Sequence, residues 1–167
     1  MPVADLLRWP GTQRLVEVEA DLPGLALSSA AVPPGEPVRV RLVLESTGSA
    51  VTATGELRTT YVGECRRCLR EVRGDVAADV REVFERHPTE GETYPLEGDE
   101  VDLEPMVRDA VLLALPIAPL CDPACSGPEP AAYPVTVVEG AGESGLARDP
   151  RWAVLDELDL EPAEGED

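Results

Sequence analysis

The chain has 167 residues, with 14 basic against 33 acidic side chains and a formal net charge of −19. Every basic residue is Arg, Lys and Asn are absent, and His87 is the only His. This excludes Schiff-base and P-loop lysine chemistry and two-histidine metal motifs, and as a whole it makes the chain a poor ligand for phosphate, so its field suits a basic partner.

Size suggests one main domain, and with few aromatic residues its core must come from Val, Leu and Ala. Residues 1–12 read as a turn-rich lead-in. Leu15–Ala20 and Val38–Leu44 alternate apolar with charged residues, Arg39 and Arg41 facing away from the apolar set. In Val51–Val62 the alternation puts Val51, Ala53, Leu57, Thr59 and Tyr61 on one side. Val76–Phe84 is a fourth strand candidate. Such period-two runs, separated by Gly/Pro turns, predict an antiparallel sheet with one wet face.

Residues 85–104 hold eight acidic residues and one Arg and read as an acidic loop. A helix follows over about 103–115. Asp102 is its expected N-cap, and Leu103, Met106, Val107, Ala110, Val111 and Ala114 recur at helical spacing. Leu112, Leu113 and Leu115 widen the stripe, so the helix is expected to be buried at its C-terminal end, where Pro116 stops it. The expected fold class is therefore α+β: an antiparallel sheet, barrel-like if it closes, one main buried helix and a short C-terminal helix. The domain is placed at 1–138. Residues 139–167 form an acidic, partly flexible tail, with a short helix at about 149–158 starting at Asp149-Pro150. No apolar run approaches a membrane span and no basic-then-apolar leader is visible at the start, so the cytoplasm is the expected compartment.

Four cysteines carry the clearest chemistry. They form two close pairs, Cys65-Arg-Arg-Cys68 after a strand and Cys121-Asp-Pro-Ala-Cys125 after the helix. In a reduced compartment such pairing points to metal or redox chemistry. If the fold brings the pairs together, they supply the four thiolates of a tetrahedral zinc site, one ion per chain. The alternatives are a thiol–disulfide pair at Cys65–Cys68, helped by its flanking arginines, and four small buried residues. Arg66, Arg67, Arg70 and Arg73 form the one basic cluster, able to meet RNA phosphate, a partner's carboxylates or the chain's own. Trp152 and Leu155, on the apolar edge of the tail helix, either fold back on the domain or bind a partner. His87 has no nucleophile or ligand beside it in sequence. Nothing here builds a catalytic site or a small-molecule pocket, so a non-enzyme is expected.

Three segments together resemble one family. Gly63-Glu-Cys65-Arg-Arg-Cys68-Leu69, the acidic-start helix running from Val101 to Leu-Pro116-Ile-Ala-Pro119-Leu-Cys121, and Asp149-Pro-Arg-Trp152-Ala-Val-Leu155 are similar, in order, to the YceD family of large-ribosomal-RNA accumulation proteins. The resemblance spans roughly residues 5–158. It implies a cytoplasmic bacterial ribosome-biogenesis factor needed for 23S rRNA accumulation and large-subunit (50S) assembly, not known as an enzyme. A large-subunit ribosomal protein or a precursor 50S particle is the implied partner, with direct 23S rRNA contact left open. A zinc-stapled adaptor unrelated to ribosomes is the alternative. One departure stands out: many relatives continue with G-L-C-x-x-C-G after the last matching cysteine, whereas this chain reads Ser126-Gly-Pro-Glu-Pro130. Any metal site here must use Cys65, Cys68, Cys121 and Cys125 alone.

Overall fold

The computed structural model describes residues 1–128 of the chain, which form one compact unit, Met1–Pro128. The expected boundary at 138, the tail at 139–167 with its helix, Trp152 and Leu155 all lie outside the described residues.

In chain order the elements are α1 (Ala4–Leu7), β1 (Gln13–Ala20), β2 (Ala30–Ala31), β3 (Val38–Ser46), β4 (Ala50–Glu64), β5 (Glu71–Glu85), β6 (Tyr94–Glu97), β7 (Glu100–Val101) and α2 (Glu104–Ala114). One sheet runs β1-β3-β4-β5-β6-β7, with β2 paired to β4. It curls into a half-barrel, so the α+β class holds. The order along it is antiparallel except at one place: β6 lies parallel to β5. The N-terminal residues add to the far edge, Val3 N–H donating to Asp99 O at 2.7 Å and Val101 N–H to Met1 O at 2.9 Å.

The four expected strands are present, β4 and β5 longer than the alternation alone indicates. Val38, Val40, Leu42 and Leu44 of β3 face inward, as do Val51, Ala53, Leu57 and Thr59 of β4, all buried. The outward face carries cross-strand ion pairs, Glu17–Arg41 and Glu19–Arg39, each at 3.0 Å. Phe84 is fully buried, its ring 5.5 Å from that of Tyr94; otherwise the core is Val, Leu, Ala and Met, since the sequence has little else to offer.

Gly55 marks the tightest crossing. A Cβ there would collide with the carbonyl oxygen of Arg41 and come within 2.9 Å of Leu42 Cα. Glycine inside a long strand permits such a backbone approach.

Three expectations need correction. Residues 85–104 are not one loop: β6 and β7 form within them, anchored by the Phe84–Tyr94 pairing and by buried Leu96 and Val101. The lead-in contains α1, whose Leu6 is buried. The main helix is not buried all round at its C-terminal end. Met106, Val107 and Val111 face the core, but Leu113 is 87% exposed, because the sheet covers only one side of α2. Leu115 is buried beyond the last helical turn, packed with Ala30 and Val76. Asp102 does act at the helix start, its Oδ1 accepting from Glu104 N–H at 3.0 Å, with Leu103 as the residue in the cap position. No helix of the described residues is long and apolar enough to cross a membrane.

Replacing Gly55 by Val is expected to cost about 2–3 kcal/mol, a fall in Tm on the order of 5–10 °C for a domain of this size. Thermal unfolding followed by circular dichroism checks this, and an unchanged Tm would mean that β3 yields to the added side chain.

Candidate metal centre

The centre forms where the tip of the β4–β5 hairpin meets the chain leaving α2. Fifteen register pairs run along the two strands, from Ala50 opposite Glu85 to Glu64 opposite Glu71. The turn at the tip carries Cys65 and Cys68. It is closed by two backbone bonds of 2.8 Å, Cys65 N–H to Arg70 O and Leu69 N–H to Cys65 O. Leu69 adopts φ 61°, the left-handed conformation that L-residues other than glycine avoid.

The second pair is delivered by Pro116–Leu120. Arg66 N–H donates to Pro119 O at 3.0 Å, and Ser29 Oγ donates to Pro116 O at 2.9 Å. Gly63 permits this docking, since a Cβ on it would stand 2.5 Å from Ser29 O and 3.1 Å from Pro119 Cγ. Asp122 folds the short loop between the cysteines, accepting from Ala124 N–H at its side chain and from Cys125 N–H at its carbonyl.

The four Sγ atoms lie within 4.8 Å of one another. Cys68 and Cys121 are 3.6 Å apart and Cys65 and Cys125 3.9 Å apart. Disulfide sulfurs would be separated by about 2.05 Å, so these are four free thiols. A tetrahedron of thiolates around zinc, with Zn–S of about 2.3 Å, has edges of about 3.8 Å. The two cross-pair spacings match such an edge, and all four sulfurs lie close enough to share one ion. Cys65 is buried and Cys121 exposed, so one side of the centre faces water.

The surroundings favour thiolate at Cys65 and Cys68. The backbone N–H of Cys121, then that of Cys68, lowers the Cys65 thiol from 9.0 to about 6. The Arg70 guanidinium lowers Cys68, its Nε standing 3.4 Å from that sulfur and its second nitrogen 3.7 Å from the Cys121 sulfur. Cys121 is instead pushed up to about 12, first by Cys68 and then by Cys125. Crowded sulfurs resist a further negative charge unless a cation stands among them.

Residues 53–159 match the family described as large ribosomal RNA subunit accumulation protein YceD. The chain belongs to the YceD family. Uncharacterized proteins of Mycobacterium tuberculosis and Mycobacterium bovis are each 34% identical over 93% of this chain and 79% of their own length. One of Mycobacterium leprae is 30% identical, over 93% and 75%. No solved structure matches this YceD chain.

Of the sequence-predicted residues, the four cysteines converge, and the four arginines divide. Arg67 donates to the carbonyls of Pro123 (3.1 Å) and Cys125 (2.6 Å), lacing the two halves of the YceD centre together. Arg70 faces the sulfurs, and Arg73 pairs with Glu71 at 2.9 Å. Arg66 is exposed, its side chain without a polar partner among the described residues. His87 is exposed and takes no part in the centre. Sequence reasoning missed Leu69, 68% exposed in its left-handed turn. Its signal was the fixed place directly after Cys68, where a knuckle turn demands positive φ.

Two outcomes are expected. Leu69→Gly relieves a backbone strain of about 1–2 kcal/mol against a smaller glycine entropy cost, so the midpoint of denaturant unfolding should rise; a fall would show that the exposed side chain packs on something. In the metal-free chain, the far-ultraviolet thiolate absorbance should show an ionisation near pH 6 that Cys65→Ser removes. Because the folded value lies below the unfolded 9.0, the stability from this thiolate is complete above pH 9 and is lost as pH falls through about 6. A single step near pH 9 would contradict the assignment.

Proposed function

We propose that this YceD protein is a non-catalytic, cytoplasmic ribosome-biogenesis factor. It supports 23S rRNA accumulation and 50S assembly by holding a basic large-subunit ribosomal protein, or assembling rRNA, on an acidic scaffold stapled by one zinc ion. The family match carries the ribosomal part, since the family is described by its role in large ribosomal RNA subunit accumulation. Zinc is supported by the donor set: four soft thiolate sulfurs within 4.8 Å of one another, suited to a borderline-soft ion, with no His among them. In that role the ion is structural. It joins the hairpin tip to the α2 exit, two segments otherwise linked by the backbone bond from Arg66 to Pro119 and by the side chains of Arg67 and Arg70.

The net charge of −19 supports a basic protein as the partner. Direct RNA contact narrows to Arg66 at the knuckle, because Arg67, Arg70 and Arg73 already have partners. Four thiols gathered in one place argue against a two-thiol redox cycle, in which one disulfide forms and breaks while the remaining pair has no part.

Purified protein is expected to carry about one zinc per chain, and chelation should lower its Tm sharply or unfold it; metal-free protein of equal stability would remove the staple. Arg67→Ala should weaken zinc retention under a competing chelator while leaving the thiols intact. Sedimentation of a cell lysate tests the ribosomal role. The protein should travel in part with immature large subunits, and a protein found only at the top of the gradient, at low salt, would count against the reading.

A further inference from the structure

β5 breaks its own rule once. Its inward positions run Val72, Gly74, Val76, Ala78, Val80, then Glu82, then Phe84. Glu82 stands opposite Ala53, half-buried in the apolar row. Its carboxylate oxygens still reach solvent, and they take part in no ion pair or hydrogen bond among the described residues.

Glu82 opens into a cleft of about 540 Å³ between β5, the 91–94 segment and α2. The cleft has an apolar side, Leu112 and Leu113, and continues toward Ala78, Val80, Met106 and Ala110. Its charged residues are Asp79, Glu82, Glu92 and Asp109, and none is basic. Tyr94 lies among them, its hydroxyl donating to Asp109 Oδ2 at 3.0 Å. Burial, with Asp109 and Glu82 nearby, pushes this phenol up to about 12, so it remains a neutral donor.

The contrast with the convex sheet face is physical. A second cleft there, lined by Glu17, Glu19 and Glu56, has each carboxylate matched by Arg41, Arg39 and Arg58. In the α2–β5 cleft no Arg is matched to any carboxylate, although the described residues form seven salt bridges elsewhere. Beside it Leu113 stands 87% exposed on an otherwise amphipathic helix. Unpaired acids around an apolar floor complement one kind of occupant, a segment that presents Arg or Lys together with an apolar side chain.

We propose that the cleft between α2 and β5 docks an amphipathic segment of a basic protein, whose cationic side chains enter among Glu82, Glu92 and Asp109 while an apolar residue covers Leu113. This rests on the reading of the protein as a holder of a basic ribosomal partner, and gives that partner a place.

The test uses the full chain as purified and a short fluorescein-labelled peptide with Arg and Leu at helical spacing, followed by anisotropy at low salt. The combined variant Glu82→Gln, Glu92→Gln, Asp109→Asn should weaken binding on the order of tenfold, three partly exposed charge contacts at about 0.2–1 kcal/mol each. Asn at 109 still accepts from the Tyr94 hydroxyl, so the fold is kept. The charge-matched control Glu161→Gln, Glu164→Gln, Glu166→Gln should change it less than about twofold. Leu113→Ser, at an exposed site, should also weaken it. Equal loss in the two charge variants, or no loss in Leu113→Ser, would reduce the interaction to general attraction and overturn the proposal. An rRNA fragment that binds where the peptide does not would overturn it as well. Large-subunit ribosomal proteins that bind wild type and the cleft variant equally would sink the cleft but leave the biogenesis reading standing.

Discussion

The β4–β5 hairpin is the constraint on which the rest depends. Fifteen consecutive register pairs fix two long strands against each other, and side-chain alternation permits no slip of one residue without turning the core outward. Its tip sets the direction of Cys65 and Cys68. Its far end, through Phe84 and Glu85, receives β6 in parallel and so begins the half-barrel's last edge. Its inner face is where α2 lies, which decides where the chain emerges with Cys121 and Cys125. The thiols therefore meet because two rigid elements end at one place, and the local bonds of Arg66 and Arg67 refine a meeting that the hairpin has already arranged.

Arginine supplies all 14 of this protein's Lys/Arg-type cations, and its distribution divides the surface. On the convex face Arg39, Arg41 and Arg58 sit among glutamates, in exposed pairs of small individual worth. At the centre Arg67 and Arg70 face carbonyls and sulfurs. The cleft between α2 and β5 is lined by carboxylates and, among the described residues, by no Arg. Within the described residues, four carboxylates, those of Asp79, Glu82, Glu92 and Asp109, thus line a cleft that also exposes apolar surface.

The sequence made the strands legible because burial on one face imposes period two, and β1, β3, β4 and β5 all carry it. It made α2 legible through helical spacing, within a residue at each end. What it could not show has a common cause. α1, β2, β6 and β7 have four residues or fewer, too short for a period to declare itself, and Pro95 and the acids around β6 resemble loop. Leu113 looked like core because composition cannot tell which side of an apolar helix the sheet will cover. The cysteines were individually obvious, but their convergence depended on the length of the hairpin and the course of α2, neither of which spacing encodes.

Two residues contradict their local pattern, and it is the fold that exposes both conflicts. Leu69 occupies a turn position better suited to glycine, and Glu82 occupies a strand position suited to valine. A sequence in which propensity, burial and charge otherwise agree places such conflicts where something beyond folding has a claim. Leu69 exposes its side chain at the rim of the thiol cluster, and Glu82 stands unpaired inside the acidic cleft. The two conflicts fall in different parts of the structure, one on the hairpin tip and one near its base. A partner engaging the base would leave the knuckle and its exposed Arg66 uncovered.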